Sequence, residues 1–119
     1  ARARNEKQHP AKRSFQAIRI AVNDELGSVE RVIQRAVPRL HRGGRLAVIT
    51  FHSLEARIAK QTMKYLELDC ICPKHAIVCT CNKVKEVKLI TRKPITASQE
   101  ELSDNPRARS AELRICEKL

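Results

Sequence analysis

Leu40-His41-Arg42-Gly43-Gly44-Arg45-Leu46-Ala47-Val48-Ile49-Thr50-Phe51-His52-Ser53 is the stretch on which the reading of the fold turns. Gly43-Gly44 is a turn signal, because glycine reaches positive φ at no steric cost. Behind it, Leu46 to Phe51 is an uninterrupted, partly β-branched apolar run of strand length. A half-exposed strand would alternate polar with apolar. Continuity predicts a strand covered on both faces, as in the middle of a parallel sheet. Ser53 is then placed to cap a following helix, with Glu55 in its positive first turn.

Upstream, Val29, Val32, Ile33, Ala36, Val37 and Leu40 recur at helical spacing, and Pro38 inside that stripe predicts a kink or a shifted last turn. Before them Phe15, Ile18, Val22 and Leu26 predict another helix, with Ser14 as its cap and Gly27 as its stop. Downstream, Leu54, Ile58, Thr62, Tyr65 and Leu66 share one side of a helix running to about Leu68. Residues 28–68 therefore read as helix, buried strand, helix, which is half of a doubly wound α/β sandwich needing further sheet neighbours. A cysteine-rich loop, residues 70–81, interrupts the pattern. Val87, Leu89 and Ile90 then predict a strand to about Arg92. Ser98-Gln99-Glu100-Glu101 is a capping box opening a short helix that Asn105-Pro106 closes. Leu113 and Ile115, alternating with Glu112 and Arg114, form a last strand. The short link between those two strands makes them antiparallel or separated in the sheet.

The 119 residues suffice for one domain, and 42% hydrophobic content makes a core feasible. Lys plus Arg number 24 against 13 for Asp plus Glu, a formal charge of +11, and the arginines cluster. Such a field draws in polyanions, so nucleic acid is the expected partner, with a merely soluble basic surface as the bland alternative. Phe15, Phe51 and Tyr65 are the only aromatics, too few for a platform that stacks single-stranded bases. No apolar run reaches the roughly 18 residues of a membrane span, and the basic N-terminus lacks the apolar segment of a secretory leader. Five cysteines without a leader suggest a reducing, cytoplasmic setting, with thiols or metal ligands favoured over disulfides.

Three segments combine with the Gly-Gly turn. His9-Pro10-Ala11-Lys12-Arg13-Ser14-Phe15-Gln16-Ala17-Ile18-Arg19-Ile20 leads to Val22-Asn23-Asp24-Glu25-Leu26; Phe51-His52-Ser53-Leu54-Glu55 leaves the apolar strand; Asn105-Pro106-Arg107-Ala108-Arg109-Ser110 precedes the last strand. In this order they resemble the bacterial small-subunit (16S) rRNA cytosine-N4 methyltransferase family, over about residues 9–119 apart from 70–85. Leu40 to Leu46 also looks like the Leu-x-Pro-Gly-Gly-x-Leu turn before the fifth strand of class I methyltransferases, with Arg42 in place of the usual proline. The resemblance implies an α/β chain forming the C-terminal half of a class I (Rossmann-like) methyltransferase fold, helix–strand–helix followed by two further strands. It implies that residues 1–27 are a basic arm and helix leaving the family's inserted helical domain. Residues 28–119 would then supply the last three strands of a seven-stranded sheet. S-adenosylmethionine is the implied methyl donor. The family holds it mainly through an N-terminal glycine loop, which is absent here: Gly27, Gly43 and Gly44 form no Gly-x-Gly. The missing N-terminal half and small-subunit rRNA are the implied partners.

Cytosine's exocyclic amine is a poor nucleophile, so a site must extrude the base and hold the amine in line with the methyl group. His52 and Ser53, at the C-terminal end of the strand, are the candidate catalytic pair; the competing reading makes Ser53 a cap and His52 part of the same turn. Arg13, Arg19 and Asn23 are candidates for gripping phosphate or base, Arg19 and Asn23 being four apart on one helix face. The competing reading is a polar flank or a buried ion pair with the opposite half of the enzyme, with function preferred for Arg13 and Arg19. Arg107 and Arg109, two apart on an expected extended segment, would point the same way towards phosphate or brace the final strand. Cys70-x-Cys72 and Cys79-x-Cys81 offer four thiols for a structural zinc, with free thiols or a disulfide as alternatives and His75 between the pairs. Cys116 reads as packing. The rival to an enzyme part is a non-catalytic, zinc-stabilised RNA-binding module, or a remnant that associates through an open sheet edge.

Overall fold

A computed structural model describes residues 9–119, so the first eight residues of the expected basic arm lie outside the described residues. The chain is α/β. Helix α1 spans Lys12–Asn23 and α2 spans Glu25–Ala36. Strand β1 is Arg45–Thr50, α3 is Ser53–Glu67, β2 is Val87–Leu89 and β3 is Ile95–Thr96. Helix α4 is Gln99–Asp104 and β4 is Glu112–Lys118.

The break between α1 and α2 falls at Asp24, in the left-handed region (φ 50°, ψ 45°), and not at Gly27. Asp24 tolerates that conformation because its short polar side chain bonds locally, here to Arg31 at 2.8 Å. Gly27 lies inside α2, and a Cβ there would stand 2.7 Å from Asp24 Oδ1 and 2.9 Å from Arg31 Nη1. Its missing side chain thus makes room for this ion pair and does not end the helix. Ser14 is not the cap of α1 either; Ala11 holds that position without a side-chain bond. Pro38 acts as expected, since α2 tightens at Val37–Arg39 into a 3₁₀ turn with the proline near its start.

Gly43 takes φ +85° to reverse the chain into β1, and its amide bonds Lys118 O at 2.7 Å while Lys118 N bonds Gly44 O at 2.7 Å. This pair of bonds sets the register of β1 against β4, from Arg45 opposite Glu117 to Thr50 opposite Glu112. Strand β2 pairs with the other side of β4, also antiparallel, giving the order β1-β4-β2. Both strands run opposite to β4, so β1 and β2 point the same way and α3 is the crossover between them. The last strand therefore sits in the middle of the sheet. A short β3, which the sequence did not suggest, pairs Ile95 with Leu113 on β4.

Helices α2 and α3 pack on one face. Ile33, Val37, Ala59, Met63, Leu66, Val87 and Cys116 form the buried core, with Leu46 and Val48 against it. Cys116 is packing, as expected, and burial pushes its thiol up despite a bond from the Leu46 amide. The opposite face of β1 is open, with Ile49 58% and Phe51 56% exposed. The expected strand buried on both faces within a parallel sheet is thus corrected. Among the described residues β1 is an antiparallel edge strand covered on one side. Its apolar continuity reports what both faces tolerate, not what covers them. Among the described residues no helix is long and apolar enough to cross a membrane.

Candidate functional site

The turn from β1 into α3 is built by reciprocal capping. His52, extended at φ −141°, accepts the Glu55 amide on Nδ1 at 3.3 Å, and Glu55 Oε1 accepts the Phe51 amide at 3.3 Å. This is the logic of a capping box with an imidazole in the place of a hydroxyl. The cap is therefore His52, and Ser53, expected in that role, is the first helical residue. Because Nδ1 accepts, the proton of the neutral ring sits on Nε2. That atom is buried without a hydrogen-bond partner. The carboxylates of Glu55 and Glu25 lie 3.3 Å and 3.7 Å away without forming a hydrogen bond to it. The side chain is 11% exposed, and its Nε2 is an unused donor held below the surface beside these two carboxylates.

Helix α1 crosses beside this turn. A cleft of about 580 Å³ forms between Lys12, Arg13, Gln16 and Arg19 of α1, Phe51 to Ser53 after β1, and Ser110 and Glu112 at the start of β4. Four of the candidates read from sequence meet here: Arg13, Arg19, His52 and Ser53. Arg19 also pairs with Glu25 across the Asp24 break, Nε to Oε1 at 2.9 Å, which anchors α1 to α2. Glu112 is held by Arg114 at 3.0 Å. The remaining cations of the cleft, Lys12 and Arg13, have no carboxylate within 4 Å among the described residues.

Asn23 lies elsewhere. It ends α1 and borders a separate groove of about 360 Å³ lined by Val29, Val32, Val48 and Ile49, so it does not share the cleft with Arg19. Arg107 and Arg109 are also displaced. Pro106–Ser110 is a 3₁₀ turn, not an extended segment, with Asn105 Oδ1 accepting the Arg107 amide. At three residues per turn, side chains two apart diverge, so no two-arginine fork forms. Neither arginine lines the cleft. Lys12, Gln16, Ser110 and Glu112 had not been singled out as site residues. Lys12 and Gln16 share the i, i+4 polar spacing that marked Arg19, whereas Ser110 and Glu112 arrive only because Thr50 pairs with Glu112.

The loop between α3 and β2 brings Cys70, Cys72, Cys79 and Cys81 together, all four Sγ atoms within 4.8 Å of one another; His75 is not among them. Amides of Ile71 and Lys83 pull the Cys81 thiol down to about 6, and the Thr80 amide lowers Cys72. The Cys72 amide lowers Cys70, but thiol contacts with Cys79 and Cys72 outweigh it and push Cys70 up to about 12.

Sheet, helices and cleft define an α/β domain with a cationic pocket at the C-terminal end of an edge strand. The chain belongs to the MraW methylase family, which it matches over residues 1–119. It is 58% identical over 111 residues to the ribosomal RNA small subunit methyltransferase H of Clostridioides difficile, covering 93% of this chain and 36% of that relative. To the protein of the same name in Heliobacterium mobile it is 54% identical over 119 residues, covering 100% and 38%. The chain thus spans less than two-fifths of the length of these curated relatives.

Proposed function

We propose that the chain is the substrate-holding C-terminal part of an S-adenosylmethionine-dependent methyltransferase acting on cytosine N4 of small-subunit rRNA. The observation that carries this reading is the cleft, which gathers Lys12 and Arg13 with His52 and Ser53 at the end of β1. The cations suit a phosphate of the RNA backbone. The Ser53 hydroxyl and the His52 ring that line the cleft suit the polar edge of a base turned out of its stack.

The described residues do not fit the methyl donor. Gly27 is inside α2 with the Asp24 carboxylate where a Cβ would go, and Gly43 and Gly44 turn from helix into strand. None stands at a strand-to-helix turn, where bare backbone amides could cradle a nucleotide. The donor site therefore belongs to the part of the relatives that this chain does not match. The open edge and uncovered face of β1, together with the groove by Val32 and Ile49, are where that part completes a Rossmann-like sheet. Helix α1, which buries no residue and packs mainly on α2, supports an arm set apart from the rest, with the break at Asp24 and not at residue 27. The cysteine cluster favours a second reading, a metal-stabilised RNA-binding module without catalysis.

Two binding measurements separate the readings. Calorimetry of this chain with S-adenosylmethionine should show no tight one-to-one binding; such binding would contradict a donor site elsewhere. Arg13→Ala should weaken binding of a small-subunit rRNA fragment by about tenfold and lower the salt slope by about one, as expected for one lost phosphate contact. Unchanged affinity and slope would remove Arg13 from the site.

A further inference from the structure

We propose that Cys70, Cys72, Cys79 and Cys81 bind one zinc ion, which pins the long loop between α3 and β2. The thiols are free. Their separations are 3.4 Å for Cys70–Cys79 and Cys79–Cys81, 3.7 Å for Cys72–Cys79 and 3.8 Å for Cys70–Cys81. A tetrahedron with Zn–S of about 2.3 Å has edges of about 3.8 Å. A disulfide would need about 2.05 Å between two sulfurs and would leave the other pair unrelated. Four mutually adjacent sulfurs are the arrangement of ligands around a single centre.

The local sequence explains how this forms. Residues two apart on an extended chain face the same way, so each Cys-x-Cys presents two sulfurs on one side, and the two pairs face each other. Amides of Ile71, Cys72 and Thr80 donate to the sulfurs of Cys81, Cys70 and Cys72, each at 3.4 Å. Such bonds stabilise negative sulfur, the form that ligates metal.

The loop also lacks any other anchor at its tip. Ile77 is 100% exposed, while Val78, Val84 and Ile71 are all exposed. Only its base is held, by Lys83 Nζ on Leu68 O at 2.8 Å and by the Glu86 amide on Leu66 O at 2.9 Å. A connection of this length without secondary structure needs a further constraint to stay ordered. Binding displaces up to four thiol protons to solvent and involves no electron transfer. Four thiolates close the coordination shell, so the ion is structural. Lys74, Lys83 and Lys85 on the same loop offset the two negative charges of the tetrathiolate.

The test is metal analysis of the protein purified under reducing conditions, followed by cobalt replacement. About one zinc per chain is expected, with four thiols protected until a mercurial releases the metal. Cobalt(II) should show the intense visible bands of a tetrahedral thiolate. The double variant Cys72→Ser, Cys79→Ser should lose the metal. Should that variant fold poorly, chelator treatment of the unaltered protein decides the point: cleavage by protease should appear between residues 70 and 85 while far-UV circular dichroism is kept. Substoichiometric metal with four freely titrated thiols, a disulfide detected by mass, or bound iron would each overturn the zinc assignment. Because none of these readouts involves RNA or methyl transfer, its failure leaves the proposed function standing.

Discussion

His52 is where structural and functional demands meet in one side chain. Its Nδ1 caps α3 and the residue lines the cleft, so simple deletion confounds the two. Substitutions can part them. His52→Ala should cost about 1 kcal/mol of stability by loss of the cap. His52→Asn should restore most of that, since asparagine is among the best N-caps, yet leave the cleft without its imidazole ring. If RNA affinity returns with His52→Asn as fully as stability does in thermal denaturation, His52 is only a cap. The sequence marked this turn, but it could not say which of two adjacent residues would hold the extended backbone of the cap.

Among the elements, α3 ties the layers together, facing α2 on one side and the sheet on the other. Met63, 1% exposed, lies at that junction with Ile33 and Val37. Met63→Ala should destabilise the chain by about 2–5 kcal/mol, read from the shift of the urea midpoint. A change below about 1 kcal/mol would mean that the core collapses around the gap. Helical periodicity made α2 and α3 readable, as did the capping box of α4, where Ser98 Oγ accepts the Glu101 amide at 3.1 Å. The segment before β4 was not readable in the same way. Asn-Pro announces a turn without saying whether it continues as 3₁₀ or extends, and that difference separates Arg107 from Arg109.

The whole molecule is open. Its radius of gyration is 17.7 Å, against about 13.5 Å for a compact domain of this length. The excess goes with an α1 that buries nothing and with the bare face of β1. Isolated in solution, the chain should associate as its concentration rises. Ile49→Lys, on the exposed face, should reduce that association in sedimentation velocity while changing stability by less than about 0.5 kcal/mol. A chain that stays monomeric throughout would show that this face does not seek a partner.

What the sequence by itself determined is local: helical spacing, the Gly43-Gly44 turn, the strand after it, and the thiol pairs in Cys-x-Cys. These depend on neighbours a few residues apart, whose periodicity and backbone preferences are written along the chain. Membership of the methylase family was legible too, because its motifs are contiguous. Only the tertiary structure decided that β4 lies between β1 and β2, since the choice of strand neighbour rests on contacts far apart in sequence. That pairing carries Glu112 and Ser110 to His52 and closes the cleft. It also leaves one face of β1 bare, because a run of apolar residues states that a surface tolerates burial and not what will bury it.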